Sequence, residues 1–285
     1  MKYTARHSAP LLEILQEMAP ESSKNTLRSW LQSGRVTVDA SPAERANRVV
    51  LANQEVVVGP KVTFLKGSLR ILHEDDQLVV LDKPEGLLSV ATEKESRATV
   101  HALLKRQFHN RRVYPVHRLD RETSGVMLFV YSEKAREDLK SQFEQQTIEK
   151  TYFAIVEQPM PLGKGTWKSY MEEDDFFFVK STNDSSRGKL AVTDYEVLKV
   201  ERNRSFLRLN PKSGRKNQLR VHCSESGHPI IGDKKYGSTS NPLKRVCLHA
   251  QKISFTHPLT GRRMTFSATL PEIFHKILDF KELHI

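Results

Sequence analysis

Apolar residues recur at helical spacing at Leu11, Leu12, Ile14, Leu15 and Met18, and again at Leu27, Trp30 and Leu31. The start of the chain therefore predicts two short amphipathic helices. Ser22 or Ser23 supplies a hydroxyl to cap the second, and Gly34 ends it. Val36-Thr37-Val38-Asp39 and Glu55-Val56-Val57-Val58 then read as short strands. Beyond Leu69 the pattern changes. Leu78-Val79-Val80-Leu81-Asp82 and Val126-Met127-Leu128-Phe129-Val130 are compact apolar runs bounded by polar residues, the pattern of strands buried on both faces. Lys83-Pro84-Glu85-Gly86-Leu87 makes a turn after the first of them. Val100 to Phe108 and Ser132 to Glu144 carry helical patterns, while Thr151–Val156 and Ser205–Leu209 read as strands. Helices are few and strands follow one another directly. The expected class is α+β, with a largely antiparallel mixed sheet flanked by helices and a small α/β unit ahead of it. The expected division is 1–58 for the small unit, 59–68 for a linker or peripheral strand, and 69–285 for the main domain.

Charge changes the picture most. The chain of 285 residues carries a formal net charge of +11. Residues 201–263 hold 14 Lys/Arg against 3 Asp/Glu, a net of +11 that equals the excess of the whole chain. Residues 1–60 hold 7 against 6, a net of only +1. The basic residues are interleaved with strand-like segments, so they predict a basic face on a folded domain and a polyanionic partner, with nucleic acid first. No apolar run is long enough for a membrane span, and no basic amphipathic helix suits a bilayer surface. The N-terminus leads into no signal-peptide core, so the expected location is the cytoplasm. Cys223 and Cys247 sit in no Cys-x-x-Cys pair and predict buried small side chains in a reducing compartment. The histidines show no zinc spacing, and no metal is expected.

The run His117-Arg118-Leu119-Asp120-Arg121-Glu122-Thr123-Ser124-Gly125 is the main chemical candidate. One carboxylate stands between two arginines, on a loop that leads straight into a buried strand. That is how a rigid fold presents a reactive group. The nonapeptide closely resembles the catalytic signature HRLDxxTSG of the RluA-type pseudouridine synthases. Four further segments resemble the family pattern in its order: Lys83–Leu87, Lys150–Ala154, Ser213–His222, and His228–Gly237 followed by Leu248-His249-Ala250. Lys216-Asn217 departs from it, since members often carry Thr-His there. Residues Ser23–Val38, with Leu27-Arg28-x-Trp30-Leu31-x-x-Gly34-Arg35-Val36, resemble the S-four-like RNA-binding domain.

The resemblance implies an enzyme that breaks the N1–C1′ bond of a uridine, rotates the base and joins C5 to C1′. No group is gained or lost, so no cofactor is expected. It makes Asp120 the catalytic carboxylate, leaving open attack at C1′, addition to the base, or removal of the C2′ proton. By the same resemblance Tyr152 stacks on the uracil and Arg220 holds Asp120 ionised. A phosphate contact is the alternative for Arg220. RNA contacts are expected at Arg118, His117, Lys83, Lys24, Arg28, Arg35, Arg215 and Gln218, with Arg118 filling the stack that a flipped uridine vacates. His117 is expected to hold the loop more than to act chemically. The expected substrate is large-subunit ribosomal RNA, with transfer RNA as the alternative, and the expected state is a monomer. Two rival readings are a non-catalytic RNA-binding assembly factor and a nucleoside hydrolase. The second needs a paired carboxylate across the scissile bond, and only Glu122 stands near Asp120 in sequence.

Overall fold

The computed structural model describes residues 1–32, 35–39, 41–43, 45–59, 63–65, 69–93 and 95–277. The chain divides into two compact units, Met1–Phe64 and Leu65–Ile285. The expected helix stop at Gly34 and most of the expected linker lie outside the described residues.

The first unit runs β1 (Lys2–Thr4), β2 (Ala9–Pro10), α1 (Leu11–Met18), α2 (Lys24–Gln32), β3 (Val36–Val38), β4 (Ser41–Pro42), β5 (Val49–Val50) and β6 (Glu55–Val58). Ser23 is the hydroxyl that caps α2: its Oγ accepts the Thr26 amide at 3.2 Å. Four strands form a sheet in the order β1-β6-β3-β4. Leu11, Ile14 and Leu15 of α1 meet Leu27, Trp30 and Leu31 of α2 over Val36, Val38 and Val56, so this unit has a core of its own.

A short strand β7 (Thr63–Leu65) spans the boundary. The second unit continues with β8 (Leu69–Glu74), β9 (Leu78–Lys83), α3 (Val100–Gln107), β10 (Tyr114–Pro115), β11 (Ser124–Val130), α4 (Glu133–Glu144) and β12 (Glu149–Glu157). It closes with β13 (Gly163–Glu173), β14 (Val179–Thr182), β15 (Lys189–Glu201), β16 (Arg204–Pro211), α5 (Gln218–Glu225), a 3-10 turn at Lys234–Tyr236, β17 (Leu248–Thr256), β18 (Arg263–Ser267) and α6 (Glu272–His275). The sheet order includes β14-β13-β15-β16-β12-β17-β11-β9-β8. Among the described pairings of named strands only β11 with β17 is parallel; an isolated parallel bridge joins Leu88 to Thr99.

The apolar run of β11 is buried along its whole length because both sheet faces are covered. Met127 and Phe129 pack with Val79, Leu81 and the α3 residues Val100 and Leu104 on one face. Val126, Leu128 and Val130 pack with Leu78, Val80 and the α4 residues Ala135 and Leu139 on the other. Gly125, at the start of β11, has φ +117°, and a Cβ there would stand 2.2 Å from the Ala250 carbonyl oxygen. Only glycine admits this approach of β11 to β17, which sets the loop before it. No described helix is long and apolar enough to cross a membrane.

Candidate active site

The loop 117–123 enters β11 above a cavity of about 560 Å³. Asp120, Tyr152, Lys150 and Arg220 line it, with the 211–220 segment forming much of the wall. That volume is in the range of small-molecule sites. Tyr152 enters from β12, opposite Leu209 of β16 and Ala250 of β17. The register with β17 slips between Thr151 and Tyr152. A bulge beside a cavity re-aims a side chain that simple alternation leaves ambiguous. Burial, aided by the Asp120 charge, pushes the Tyr152 phenol upward, so it is neutral at ordinary pH.

Arg220 lies on α5 with its side chain only 5% exposed. Asp233 grips it as a fork, accepting from Nε at 2.6 Å and from Nη2 at 2.7 Å. Nη1 is left to donate to Glu122 Oε2 at 3.1 Å, and it stands 3.9 Å from Asp120 Oδ2. The last distance is Coulombic reach without a hydrogen bond. Three carboxylates thus share one guanidinium. Burial raises the Asp120 pKa above the usual carboxylate range; Arg220 opposes this, and Glu122 adds to it. The Arg220 guanidinium is pushed down by burial, but the Asp233 fork with Asp120 and Glu122 outweighs this and raises it overall. The product is a carboxylate lining the cavity, held in place by charge, with no strong donor to its oxygens among the described residues. Such a group can act as nucleophile or base once ionised.

Two expected RNA contacts, Lys83 and Gln218, are corrected by the geometry. Lys83 is fully buried; its Nζ donates to the carbonyls of Pro84 at 2.9 Å, Leu87 at 2.7 Å and Arg121 at 3.3 Å. Burial lowers its pKa to about 8 while Asp120 and Glu122 oppose the fall. It ties the 83–87 turn to the catalytic loop instead of meeting phosphate. Gln218 is also buried: Oε1 accepts from Ser213 Oγ and the Arg215 amide, and Nε2 donates to the Val192 carbonyl and Thr193 Oγ1. Its polar atoms are spent on the wall. His117 Nε2 accepts the Leu128 amide at 3.1 Å, and burial lowers its pKa to about 3, with Lys150 adding to the fall. With that nitrogen engaged the neutral imidazole fixes the loop to β11, as expected of a residue that holds the loop, and the half-buried ring lines the cavity.

Arg118 and Arg215 are exposed on the cavity rim, and Arg215 Nε donates to the Leu190 carbonyl. In the first unit Lys24 and Arg28 are exposed on α2, while Arg35 lies over the Trp30 ring and donates to the Gly59 carbonyl. Sequence reasoning missed Asp233, Glu122 as an Arg220 partner, and Lys150. Asp233 belonged to a recognised segment, yet its pairing is with a residue on another element. Lys150 is half-buried between Phe143 and the Ser213 carbonyl, and desolvation lowers its pKa to about 8. Both cysteines are buried free thiols, as expected. The described residues include no cluster of His, Cys, Asp and Glu suited to a metal ion.

A family model described as RNA pseudouridylate synthase matches residues 77–225. The chain is 38% identical to the dual-specificity RNA pseudouridine synthase RluA of Haemophilus influenzae, over 72% of this chain and 94% of that protein. It is 32% identical to the ribosomal large subunit pseudouridine synthase C of Vibrio vulnificus, over 96% of this chain and 97% of that one. Among solved structures, human RNA pseudouridylate synthase domain containing 4 superposes with a TM-score of 0.59 at 27% identity, covering 72% of this chain and 89% of that one. Fold and cavity are thus those of an RNA-modifying isomerase domain. The chain belongs to the RNA pseudouridylate synthase family, and it converts uridine to pseudouridine in RNA.

Proposed function

We propose that this synthase modifies specific uridines of large-subunit ribosomal RNA, with Asp120 as the catalytic carboxylate. The observation that carries the site assignment is Asp120 beside the cavity, 3.9 Å from an Arg220 that Asp233 already anchors. Uracil sits on the Tyr152 ring, worth about 1–3 kcal/mol by stacking. Ionised Asp120 acts on the sugar or the base. Arg220 keeps it charged in a site where burial favours the neutral acid. Arg118, exposed beside the loop, fills the stack left by the flipped uridine. Because isomerisation exchanges one bond of the base for another, it needs no cofactor.

The first unit acts as an S-four-like RNA-binding module, with Lys24, Arg28 and Arg35 toward RNA. Its independent core and the exposed cations of α2 support this. The ribosomal reading draws on the Vibrio vulnificus relative, which matches this chain across both units and is named for the large subunit. The protein works as a cytoplasmic monomer.

Pseudouridine mapped in ribosomal RNA from cells lacking the gene tests the substrate: loss at one or a few large-subunit positions is expected. A full complement there, with losses confined to transfer RNA, overturns the ribosomal assignment. In the full-length protein, a Lys24→Ala, Arg28→Ala double variant should bind structured RNA more weakly and with a shallower salt dependence. Unchanged affinity and slope would remove α2 from the RNA interface.

A further inference from the structure

The hairpin joining β13 to β14 ends in the turn Asp174–Phe178, which holds three consecutive phenylalanines. Asp174 Oδ1 accepts the amides of Phe176 at 3.0 Å and Phe178 at 2.8 Å, which builds the turn tightly. Phe178 folds inward onto the Tyr236 ring, 5.1 Å between centroids. Phe176 and Phe177 point outward, 89% and 68% exposed. Phe177 also adopts φ +61°, a left-handed conformation that favours Asn or Gly. A turn that only reversed the chain would not require two solvent-facing aromatic rings, one of them in a strained conformation.

The tip is tethered to the active-site wall. Lys216, which lines the cavity, pairs with Glu173, and its ammonium lies 5.3 Å from the Phe177 ring centroid. Lys235 donates to the Phe177 carbonyl at 3.2 Å and lies over the Phe178 ring. Of the neighbouring acids, Glu172 pairs with Lys180 and Arg187, Glu173 with Lys216, and Asp174 with the turn amides, while Asp175 stands exposed beside Phe176. The exposed surface is two flat apolar rings, with the Lys216 and Lys235 ammonium groups on the Phe177 side and the Asp175 carboxylate beside Phe176, and Lys216 links it to the cavity wall. Two rings are too little for a stable protein interface, which needs several hundred Å² per partner. They suit one unstacked base, whose π-face meets a ring while its phosphate meets an ammonium.

We propose that Phe176 and Phe177 form a stacking platform for an unpaired nucleobase of the RNA substrate, outside the cavity and near the target uridine, with Lys235 taking the adjoining phosphate. The platform rests on the reading that this chain acts on RNA, and it adds a substrate feature: a single-stranded base within reach of the tip. It selects RNA by local structure, because stacking tolerates any base.

The test uses full-length protein and a uridine-rich stem-loop RNA with an open loop. Phe176→Ala should weaken binding about 5- to 20-fold, toward the low end of base stacking for so exposed a ring. Phe176→Tyr should restore it. Phe176→Trp should show indole quenching on RNA addition, beyond that of wild type with Trp30 and Trp167 alone. With abasic nucleotides flanking the target, wild type and Phe176→Ala should bind alike. Equal affinity of wild type and Phe176→Ala for the intact loop overturns the platform, as does a gap that survives the abasic replacement. Tritium release from C5-labelled ribosomal RNA, run in parallel, reads the catalytic assignment separately. Wild type that binds the loop with the predicted Phe176 dependence yet releases no tritium keeps the platform and removes the substrate assignment.

Discussion

Two arginines, Arg220 buried and Arg245 partly buried, brace the 117–124 loop, and they are in opposite electrostatic positions. Arg220 is shared by three carboxylates from separate segments, Asp233, Glu122 and Asp120. Arg245 has one close carboxylate, Glu85 at 3.1 Å, and spends Nη2 on Ser124 Oγ, which also hydrogen-bonds His249 Nδ1. Burial lowers the Arg245 pKa and Glu85 only partly restores it; at Arg220 the carboxylates win. Around Arg220 negative charge is in excess, and one carboxylate is left near the cavity without a strong hydrogen bond. Around Arg245 the guanidinium meets Glu85, Ser124 Oγ and the Val246 carbonyl, with Asp82 in Coulombic reach, and none of these lines the cavity that holds Asp120. Residue type alone therefore does not say whether such a cation serves the frame or a cavity carboxylate.

The sharpest break of this contrast is Asp120→Asn. It removes the surplus charge and keeps the shape, so turnover should fall on the order of 10³-fold or more. RNA affinity should hold, since many phosphate contacts carry it. Thermal stability should not fall, because one of three carboxylates competing for a guanidinium is gone. Single-turnover assays, binding and melting curves check all three; near-normal turnover would end the assignment.

Arg220→Met keeps the burial and removes the opposing charge. Asp120 must be ionised to act, and its pKa, already raised, rises further, so the acid limb of the pH–rate profile moves to higher pH. Turnover at saturating RNA should drop on the order of 10²-fold, with modest affinity loss. An intact saturated rate with a shallower salt slope would make Arg220 a phosphate contact instead.

Asp233→Asn sharpens the comparison in the other direction. Asp233 raises the Asp120 pKa through its charge and holds two guanidinium nitrogens. Its neutralisation should move the acid limb to lower pH, while looser anchoring of Arg220 costs roughly 10-fold in rate at neutral pH, in the range of a lost supporting contact. An unshifted limb would separate Asp233 from the titration of Asp120.

Arg245→Met should act mainly on stability. It removes the guanidinium from Ser124 Oγ, which keeps His249, and from a partly exposed Glu85, a loss of about 1–3 kcal/mol. For a domain of this size that lowers the melting temperature by roughly 2–4 °C per kcal/mol. The rate below melting should change less than about 3-fold, and the acid limb should stay in place, since Asp120 feels Arg220 and not Arg245 as its principal cation. An acid-limb shift as large as that of Arg220→Met would erase the distinction between the two arginines.

Much of this was legible along the chain because it is local. The continuous apolar run of β11 announced a strand covered on both faces, and the covering helices α3 and α4 lie where the 3.6-residue pattern put them. Asp120 stood out because its neighbours form a recognisable run leading into that strand. The long-range partners were not legible. Asp233 meets Arg220 only because the turn before Lys234–Tyr236 folds back on α5. Lys83 reads as a surface cation in any local window, yet three backbone carbonyls enclose it once the 83–87 turn closes on Arg121. Gln218 turned inward for the same reason: its amide found the Val192 carbonyl and Thr193 Oγ1 on β15, a strand distant in sequence.

By itself, then, the sequence determined the main elements, the fold class and the family, since hydrophobic period and contiguous motif residues are properties of the chain. Tertiary structure alone decided which polar residues face the substrate and which brace the loop. It set the ionisation of Asp120, the role of Lys83 and the exposure of Phe176 beside an inward Phe178. Burial and charge pairing depend on distances in space, and a residue's sequence neighbours carry no record of them.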